Sequence, residues 1–377
     1  MPVVPGYVLI ADPGSMRFEF YHRELLNFWK ARGVTPEIHI VDWRDVAQRD
    51  GRIGPLLPSG RSLLRVESPA RDPGVIETLL DAGQRAKALS APAAKNPQHG
   101  WIASPALLYA GLCLCLNGLS ETLQASPQIQ SAASPADIAV LFDKNETTRR
   151  LLAAGLPCPE TFAPTGNADE LLDELHRRGW QKAYVKLSHG SCASGIAVVS
   201  TEAPPTAITT VTQSDGDFFN TSAVYEASGR HLTKILEFII QESATVQQAI
   251  PKTQVAGRNF DIRAVVIGGD VVATVFRVSS HPMTNLHLGG ARGDADLCRR
   301  MIPTRHWLDA MDHCVEAARL FKLPAVGVDL AFHRDTCQPY LLELNAFGDF
   351  FPNWTNADGR SIHSMEIENT ARRFQLI

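Results

Sequence analysis

Two carboxylates and an amide near the end of the chain have the types and spacing of a metal site. Asp329 belongs to an apolar segment that a short polar turn separates from a second one, which carries Glu343 and Asn345. In a hairpin centred on Thr336, Asp329 faces Glu343 and Asn345 shares their side, because side chains alternate with period two. Facing carboxylates repel each other, and a bound cation removes this repulsion. These oxygen ligands predict Mg²⁺ shared with a substrate phosphate, with an exposed polar edge as the alternative. The opposite face is predicted to be core, formed by Val328, Leu330, Leu342 and Leu344.

A loop of small residues farther up the chain is typical of phosphate binding. Two apolar segments, residues 182–187 and 196–199, flank a glycine- and serine-containing loop with Lys186 at its base. Small residues let backbone N–H groups approach phosphate oxygens, and the lysine adds a positive charge. The loop is not a Walker A motif, because no Gly-Lys-Ser/Thr is present and a strand follows. A tight turn without a ligand is the alternative interpretation.

Lys144 occupies the first turn of a predicted helix that runs from Asp143 to Ala154 and ends at Gly155. A lysine in this position opposes the helix dipole unless an anion lies nearby. The residue therefore indicates either an anion site or a solvated surface lysine.

A second predicted hairpin carries two arginines. Residues 260–267 and 271–277 flank a Gly-Gly-Asp turn, and strand parity places Asp261 and Arg263 on one face. Arg277 joins them if the turn holds three residues, whereas a two-residue turn sends it to the other face. Exposed arginines on an edge of the sheet are the alternative.

The elements that position these residues begin with a β-α-β unit in the first 45 residues, which favours a parallel sheet. The polar stretch 126–134 is the predicted boundary after this α/β domain.

The apolar run 107–119, about 13 residues, is shorter than the roughly 20 that a membrane-spanning helix needs, so we interpret it as a buried helix.

Composition excludes some classes of protein. The 377 residues include 36 Lys+Arg and 40 Asp+Glu, a net charge of −4. This balance argues against binding of nucleic acid or acidic membranes, which needs a basic surface. The seven cysteines form no CxxC pair, and an odd number fits a reducing compartment. With no signal-peptide pattern at the N-terminus, we expect a cytoplasmic protein.

Residues 140–355 resemble the ATP-grasp superfamily, in particular the branch of the ribosomal-protein glutamate ligase (RimK type) and glutathione synthetase. The resemblance rests on several segments in the expected order. They are Asp143-Lys144, Gly155-Leu-Pro, Val185-Lys186 with its loop, Asp261-Ile-Arg263, Asn285-Leu-His-Leu-Gly-Gly290, Gly327-Val-Asp329 and Glu343-Leu-Asn345.

This resemblance implies an α/β and α+β protein with an ATP-grasp fold, in which two α+β lobes hold ATP behind an N-terminal Rossmann-like domain. The implied domains are 1–135 for the N-terminal α/β domain, 136–245 for the central lobe and 246–377 for the C-terminal lobe.

The resemblance also assigns site residues. Asp329, Glu343 and Asn345 match the ligands of two Mg²⁺ ions, which Mn²⁺ can replace, and Arg263 and Arg277 match catalytic positions at the γ-phosphate and the acyl phosphate. The remaining matches are ATP-binding positions, namely Lys144, Lys186, Gly190, Ser191, Gly195, Gln247, Gln248, Ala249, Ile250, Asn285, Gly289 and Gly290.

Some positions depart from the family pattern. Ala193 stands where the phosphate loop usually has glycine, and Gln248 stands where an acidic residue is common. Asn345 is followed by Ala-Phe-Gly-Asp rather than the usual small-residue and proline turn, which predicts a different acceptor pocket.

The implied activity is ATP-dependent ligation of a carboxylate to an amine, or to a thiol, through an acyl phosphate, with release of ADP and phosphate. The partners would be ATP, a small-molecule or peptide carboxylate and an amine acceptor, in a chain that can form a homodimer. The alternatives are an ATP-grasp kinase that releases a phosphorylated product and a non-catalytic nucleotide-binding scaffold or sensor.

Overall fold

The computed structural model describes residues 5–69, 72–87, 100–190, 194–349, 351–352 and 354–377. Ser191 and Ala193, two of the positions discussed for the phosphate loop, lie outside these residues.

The strands are β1 (Gly6–Ala11), β2 (Glu37–Asp42), β3 (Ser62–Val66), β4 (Ile129–Ser131), β5 (Thr161–Phe162), β6 (Lys182–Leu187), β7 (Ile196–Ser200), β8 (Thr206–Ser214), β9 (Asp217–Ser228), β10 (Ala244–Gln248), β11 (Gln254–Val255), β12 (Arg258–Ile267), β13 (Asp270–Ser279), β14 (Ala291–Arg292), β15 (Ala325–Phe332) and β16 (Pro339–Asn345). The helices are α1 (Met16–Lys30), α2 (Trp43–Gln48), α3 (Pro73–Lys87), α4 (Pro105–Ala125), α5 (Pro135–Leu141), α6 (Lys144–Ala153), α7 (Ala168–Arg177), α8 (Gly229–Gln241), α9 (Ala295–Arg300), α10 (Thr304–Arg319) and α11 (Ile362–Arg373).

The N-terminal part of the chain forms a four-stranded sheet in the order β2-β1-β3-β4, and every pair in it is parallel. β1 is buried along its whole length, because helices cover a parallel sheet on both faces. The predicted β-α-β unit is therefore confirmed, with α1 as its helix and Ser15 as the N-cap, accepting a hydrogen bond from the Phe18 N–H.

The apolar run 107–119 lies in α4, which extends over 21 residues. The helix is therefore long and apolar enough to cross a membrane, and the length argument from the sequence is wrong. In this structure α4 packs on α3 through glycine: a Cβ on Gly111 would lie 2.0 Å from the carbonyl oxygen of Leu79. Such close helix packing is typical of a core helix, as the sequence interpretation held.

The rest of the chain builds two sheets in which every strand pair is antiparallel. The central sheet has the order β5-β10-β6-β7-β8-β9, and the C-terminal sheet has the order β14-β13-β12-β15-β16, with β11 paired to β12. The central sheet has its own apolar core beneath α7 and α8. One continuous core joins the C-terminal sheet to the N-terminal sheet through α4 and α5.

Two hairpins of the C-terminal sheet carry bulges that reverse simple strand parity. Between β12 and β13 the turn is Gly268-Gly269, but Val272 is an extra residue in β13, so that Asp261 pairs with Arg277. Between β15 and β16, Asp329 pairs with Glu343 as predicted, whereas Leu330 pairs with Leu341. Leu342 is therefore the bulged residue, and its predicted place in the core is wrong.

A loop of the C-terminal sheet reaches over to the central sheet. Met283 and Leu288 are buried against Val198, and the Tyr184 hydroxyl donates to the Pro282 carbonyl at 2.9 Å. This contact closes one side of the space between the two sheets.

Candidate active site

A cleft lies between the central and the C-terminal sheets. Its empty space, including the part open to solvent, is about 840 Å³. The side chains that line it come from both sheets and from the start of α6. They are Lys144, Tyr184, Lys186, Leu187, Gly190, Ser194, Ile196, Gln247, Gln248, Ile250, Lys252, Asp261, Arg277, Met283, Thr284, Asn285, Asp329, Leu342 and Glu343.

The hairpin of β15 and β16 brings the predicted metal ligands to one side of the sheet. Asp329 pairs with Glu343, and Gly327 pairs with Asn345, so the three side chains share a face. Asp329 is 8% exposed, and the Nδ2 atom of Asn345 is buried without a hydrogen-bond partner among the described residues. A buried amide in this state is costly and indicates a site that a ligand completes.

Asp329 is held by two arginines. Arg263 donates to both of its carboxylate oxygens, through Nε and, at 3.0 Å, through Nη2, and Arg277 Nη2 lies 3.2 Å from Oδ1. Burial raises the pKa of Asp329, but the two guanidinium groups more than offset it, so the pKa lies well below its ordinary value. Asp329 is therefore ionised at neutral pH.

Two further acidic residues orient these arginines. Arg277 Nε donates to Asp261 at 2.7 Å, and Arg263 Nη1 donates to Asp349 at 2.7 Å. Asp349 follows Asn345 in the segment that departs from the family pattern. Arg263 contacts Asp329 from outside the lining of the cleft, whereas Arg277 lines it. The two predicted catalytic arginines are thus brought together around one carboxylate.

The two predicted phosphate lysines line the same cleft. Lys144 Nζ lies 3.3 Å from Glu343 Oε1 and also donates to the Gly190 carbonyl. Lys186 Nζ donates to Gln247 Oε1 at 3.0 Å. Burial, helped by the nearby charge of Lys144, lowers the pKa of Lys186 to about 8, against an opposing effect of Glu343. Cationic and anionic side chains are therefore interleaved along the lining of the cleft.

The predicted ATP-binding residues 247–250 lie at the end of β10 and directly after it. Gln247, Gln248 and Ile250 line the cleft, whereas Ala249 does not. The backbone N–H of Gln248 donates to Glu160 and that of Ala249 to Lys182, so both amides are used within the central sheet. The assignment of these residues to ATP binding stays a prediction. Because these two N–H groups are already paired, backbone contacts to ATP would have to come from carbonyl groups and from the Ile250 N–H.

Only some of the predicted residues in the glycine-containing loops line the cleft. Gly190 and Asn285 line the cleft, whereas Gly195, Gly289 and Gly290 do not. Gly195 has a φ of +64°, and a Cβ there would meet the Leu187 side chain at 2.0 Å, so glycine serves the turn itself. Ser191 lies outside the described residues.

Sequence reasoning missed a third lysine and its partners. Lys252 is 7% exposed, and its Nζ donates to the Pro282 carbonyl at 3.1 Å and to Thr284 Oγ1 at 3.4 Å. Thr284 in turn donates to Asp261. Lys252 follows closely on the predicted ATP-binding residues 247–250, but nothing local in the sequence relates it to Thr284, which is 32 residues away.

The residues present fit a Mg²⁺ site by their chemistry. Two carboxylates and an amide supply oxygen ligands. The unpaired Nδ2 of Asn345 is a hydrogen-bond donor and suits an acceptor oxygen of a ligand, such as a phosphate. The described residues hold no group of three or more His, Cys, Asp or Glu side chains placed to bind a metal. A metal bound here would therefore be coordinated by the two carboxylates, by the amide oxygen of Asn345 and by atoms of a bound ligand.

Part of the chain matches a known family of protein domains. Residues 203–350 match the model of the RimK-like ATP-grasp domain. No curated protein matches the chain at significant similarity.

Similar solved structures cover almost the whole chain. The D-cycloserine synthetase DcsG is 13% identical with a TM-score of 0.56, and the alignment covers 99% of this chain and 100% of that one. The D-alanine–D-alanine ligase from Bacillus anthracis is 12% identical with a TM-score of 0.54, covering 99% and 98%. The ATP-grasp ligase PsnB, solved with a minimal precursor, is 14% identical with a TM-score of 0.53, covering 98% and 100%. The chain therefore has the ATP-grasp fold, and its residues 203–350 are similar to the RimK-like ATP-grasp domain.

Proposed function

We propose that this chain is an ATP-dependent ligase that joins a carboxylate to an amine through an acyl phosphate. One observation carries the proposal: Lys144, Lys186, Asp329 and Glu343 line a single cleft, with Arg277 beside Asp329. The lysines suit the phosphates of ATP, and the carboxylates suit the metal that accompanies them.

The residues of the cleft act by positioning and by charge. A substrate carboxylate oxygen attacks the γ-phosphorus, the bond to the bridging oxygen of ADP breaks, and an acyl phosphate forms. The amine then attacks the carbonyl carbon, the C–O bond to phosphate breaks, and the nitrogen loses a proton. Lys144 and Lys186 hold the nucleotide phosphates, and Arg263 and Arg277 neutralise the charge that develops on the transferred group. No protein nucleophile is needed.

Asp329, Glu343 and Asn345 would hold Mg²⁺ in this proposal. When bound, the metal neutralises phosphate charge and acts as a Lewis acid. Arg263 and Arg277 contact the oxygens of Asp329 in this structure, so a metal held by this carboxylate would share it with the two guanidinium groups.

We propose three domains, each built around one of the three sheets. We assign residues 1–135 to the N-terminal domain, 136–245 to the central nucleotide-binding lobe and 246–377 to the lobe that carries the metal ligands. The substrates are an acid and an amine, either small molecules or peptides. Both classes appear among the similar structures, as D-alanine–D-alanine ligase and as the macrocyclase MdnC bound with its precursor peptide MdnA.

The test is an ADP-release screen of pooled carboxylic acids and amines, including short peptides, with mass detection of products. We expect ADP release to require both an acid and an amine, and a product lighter by one water than their sum. An acid labelled with ¹⁸O in its carboxylate should transfer one labelled oxygen to phosphate, because the C–O bond of the acyl phosphate breaks. The matched inactive control is Glu343→Gln.

Two outcomes would replace the proposal. ADP release with an acid or alcohol alone, together with a stable phosphorylated product, would identify a kinase. Nucleotide binding without ADP release across the whole panel would identify a binding protein.

A further inference from the structure

One edge of the C-terminal sheet is open. β14 pairs only with Arg277 and Val278 of β13, and the Gly293 N–H donates to the Phe276 carbonyl at 2.9 Å. Successive residues of an antiparallel strand direct their N–H and C=O groups to opposite sides. Thr274 therefore directs its backbone groups away from β12, as Phe276 does, and they have no partner among the residues that the structure describes. Such an edge is a template for another strand.

A groove runs along this edge. Its empty space, including the part open to solvent, is about 1390 Å³, and its lining includes Val271–Thr274, three apolar side chains of α10 and Trp354. Trp307 of α10 stacks on Phe276 at 5.9 Å between ring centroids, on one face of the sheet. Trp354 packs with the apolar cluster on the other face. A strand added to β13 would thus place alternate side chains against two tryptophan-lined walls.

The rim of the groove is acidic. Asp270, Asp312 and Glu316 are exposed and have no ion-pair partner within the described part of the chain. Asp312 and Glu316 are four residues apart on α10, so they lie on the same side of the helix. Arg319 is the single basic residue in the lining. The groove therefore favours a cationic occupant.

We propose that this groove, formed by residues 270–274 of β13, α10 and Trp354, binds an extended peptide segment of a partner protein in which basic and apolar residues alternate. The segment adds to β13 as a strand, with its apolar side chains on the face of Trp354 and its basic ones on the face of α10, at Asp312 and Glu316. Pairing between two copies of the chain at this edge is disfavoured, because it brings two acidic rims together.

The groove is distinct from the cleft, since the two share no lining residue. Peptide capture at this surface is therefore separable from turnover, and substitutions on its rim leave the cleft intact.

The experiment uses the full chain and two fluorescein-labelled hexapeptides, one alternating lysine with valine and one alternating glutamate with valine. We expect the lysine peptide to bind in fluorescence anisotropy and the glutamate peptide to bind at least tenfold more weakly. The double variant Asp312→Lys, Glu316→Lys should weaken binding of the lysine peptide at least tenfold. Hydrogen exchange should slow at residues 270–276 when the lysine peptide is present.

A matched control separates this surface from general charge attraction. Asp169 and Asp173 are exposed acids with the same spacing on α7, and the variant Asp169→Lys, Asp173→Lys should bind the lysine peptide like the wild type. Equal weakening by both double variants, or no exchange protection at residues 270–276, would overturn the proposal. A dimer in sedimentation that protects these same residues without peptide would assign the edge to a second copy instead.

Discussion

Asp261 accepts a hydrogen bond from Arg277 Nε at 2.7 Å across β12 and β13, and a bulge makes this pair possible. The turn between the strands holds two residues, which by parity alone would place Arg277 on the opposite face. Val272 supplies the additional residue within the strand and restores the parity. Arg277 then also reaches Asp329 at 3.2 Å, so one guanidinium joins two buried carboxylates.

Removal of this guanidinium should destabilise the fold. We expect Arg277→Met to lower the free energy of unfolding by about 3–5 kcal/mol, because it leaves Asp261 and Asp329 buried with one partner fewer. Urea denaturation measures the effect. The control is Arg292→Met, which removes the exposed neighbour across the strands and should cost no more than about 0.5 kcal/mol. Equal losses for the two variants would contradict the role of the buried pair.

The two predicted metal carboxylates should respond differently to neutralisation. Glu343 is 30% exposed at its side chain and contacts Lys144, so Glu343→Gln should leave the melting temperature nearly unchanged while ADP release falls by about 100-fold or more. Asp329→Asn should abolish ADP release and also lower the melting temperature, because it leaves Arg263 and Arg277 without their shared carboxylate.

Coupled ADP assays and thermal melting test both variants, with Glu226→Gln, an exposed residue of β9, as the control. Full turnover by Glu343→Gln would remove this residue from the metal site.

Nucleotide binding should depend on pH through Lys186. Its pKa in the folded protein, about 8, lies below the ordinary 10.5, so the native lysine is largely neutral above pH 8. Binding of an anionic nucleotide then requires uptake of a proton, and affinity for ADP should fall by up to about tenfold per pH unit above pH 8. Calorimetry at pH 8.5 in buffers of different ionisation enthalpy should detect this proton.

Lys186→Met should bind ADP more weakly and without the pH dependence. Lys182→Met, at an exposed position of the same strand, should behave like the wild type. The same shift in pKa has a consequence for stability: between pH 8 and 10.5 the unfolded chain binds a proton that the native one releases, so this lysine's contribution to stability rises with pH. An ADP affinity of the wild type that does not change with pH above pH 8 would refute the assignment of Lys186 as the titrating residue.

Lys252 should hold the closing loop over the cleft. It ties the segment after β10 to Pro282 and Thr284, next to the Tyr184–Pro282 hydrogen bond. We expect Lys252→Met to raise the KM for ATP more than it lowers kcat, because the loop carrying Asn285 loses its anchor. Tyr184→Phe removes only one hydrogen bond, worth about 0.5–1.5 kcal/mol, and should shift KM in the same direction by less. An unchanged KM in both variants would show that the loop does not contribute to ATP binding.

Much of the candidate site follows from short-range patterns. The predicted pairing of Asp329 with Glu343 is confirmed, but the turn alone does not produce it. Beside the turn Phe332 pairs with Pro339, a register that would place Leu342 opposite Asp329, and the bulge shifts this register by one residue. Leu342 is misplaced by the same reasoning, since a bulge is not visible in alternation alone. The length of α4 is underestimated because polar residues interrupt its apolar run while the helix continues through them.

The sequence by itself determined the classes of residue and their order along the chain, and with them the ATP-grasp fold and the hairpin that carries Asp329, Glu343 and Asn345. Alternation and turn chemistry are local, so a linear pattern records them. Only the tertiary structure decided that Lys252 and Thr284 belong to the cleft, that Arg263 and Arg277 share Asp329, and that the edge of β13 is open. These relations depend on how separate strands and loops pack, and contacts between distant segments leave no periodic trace in one sequence.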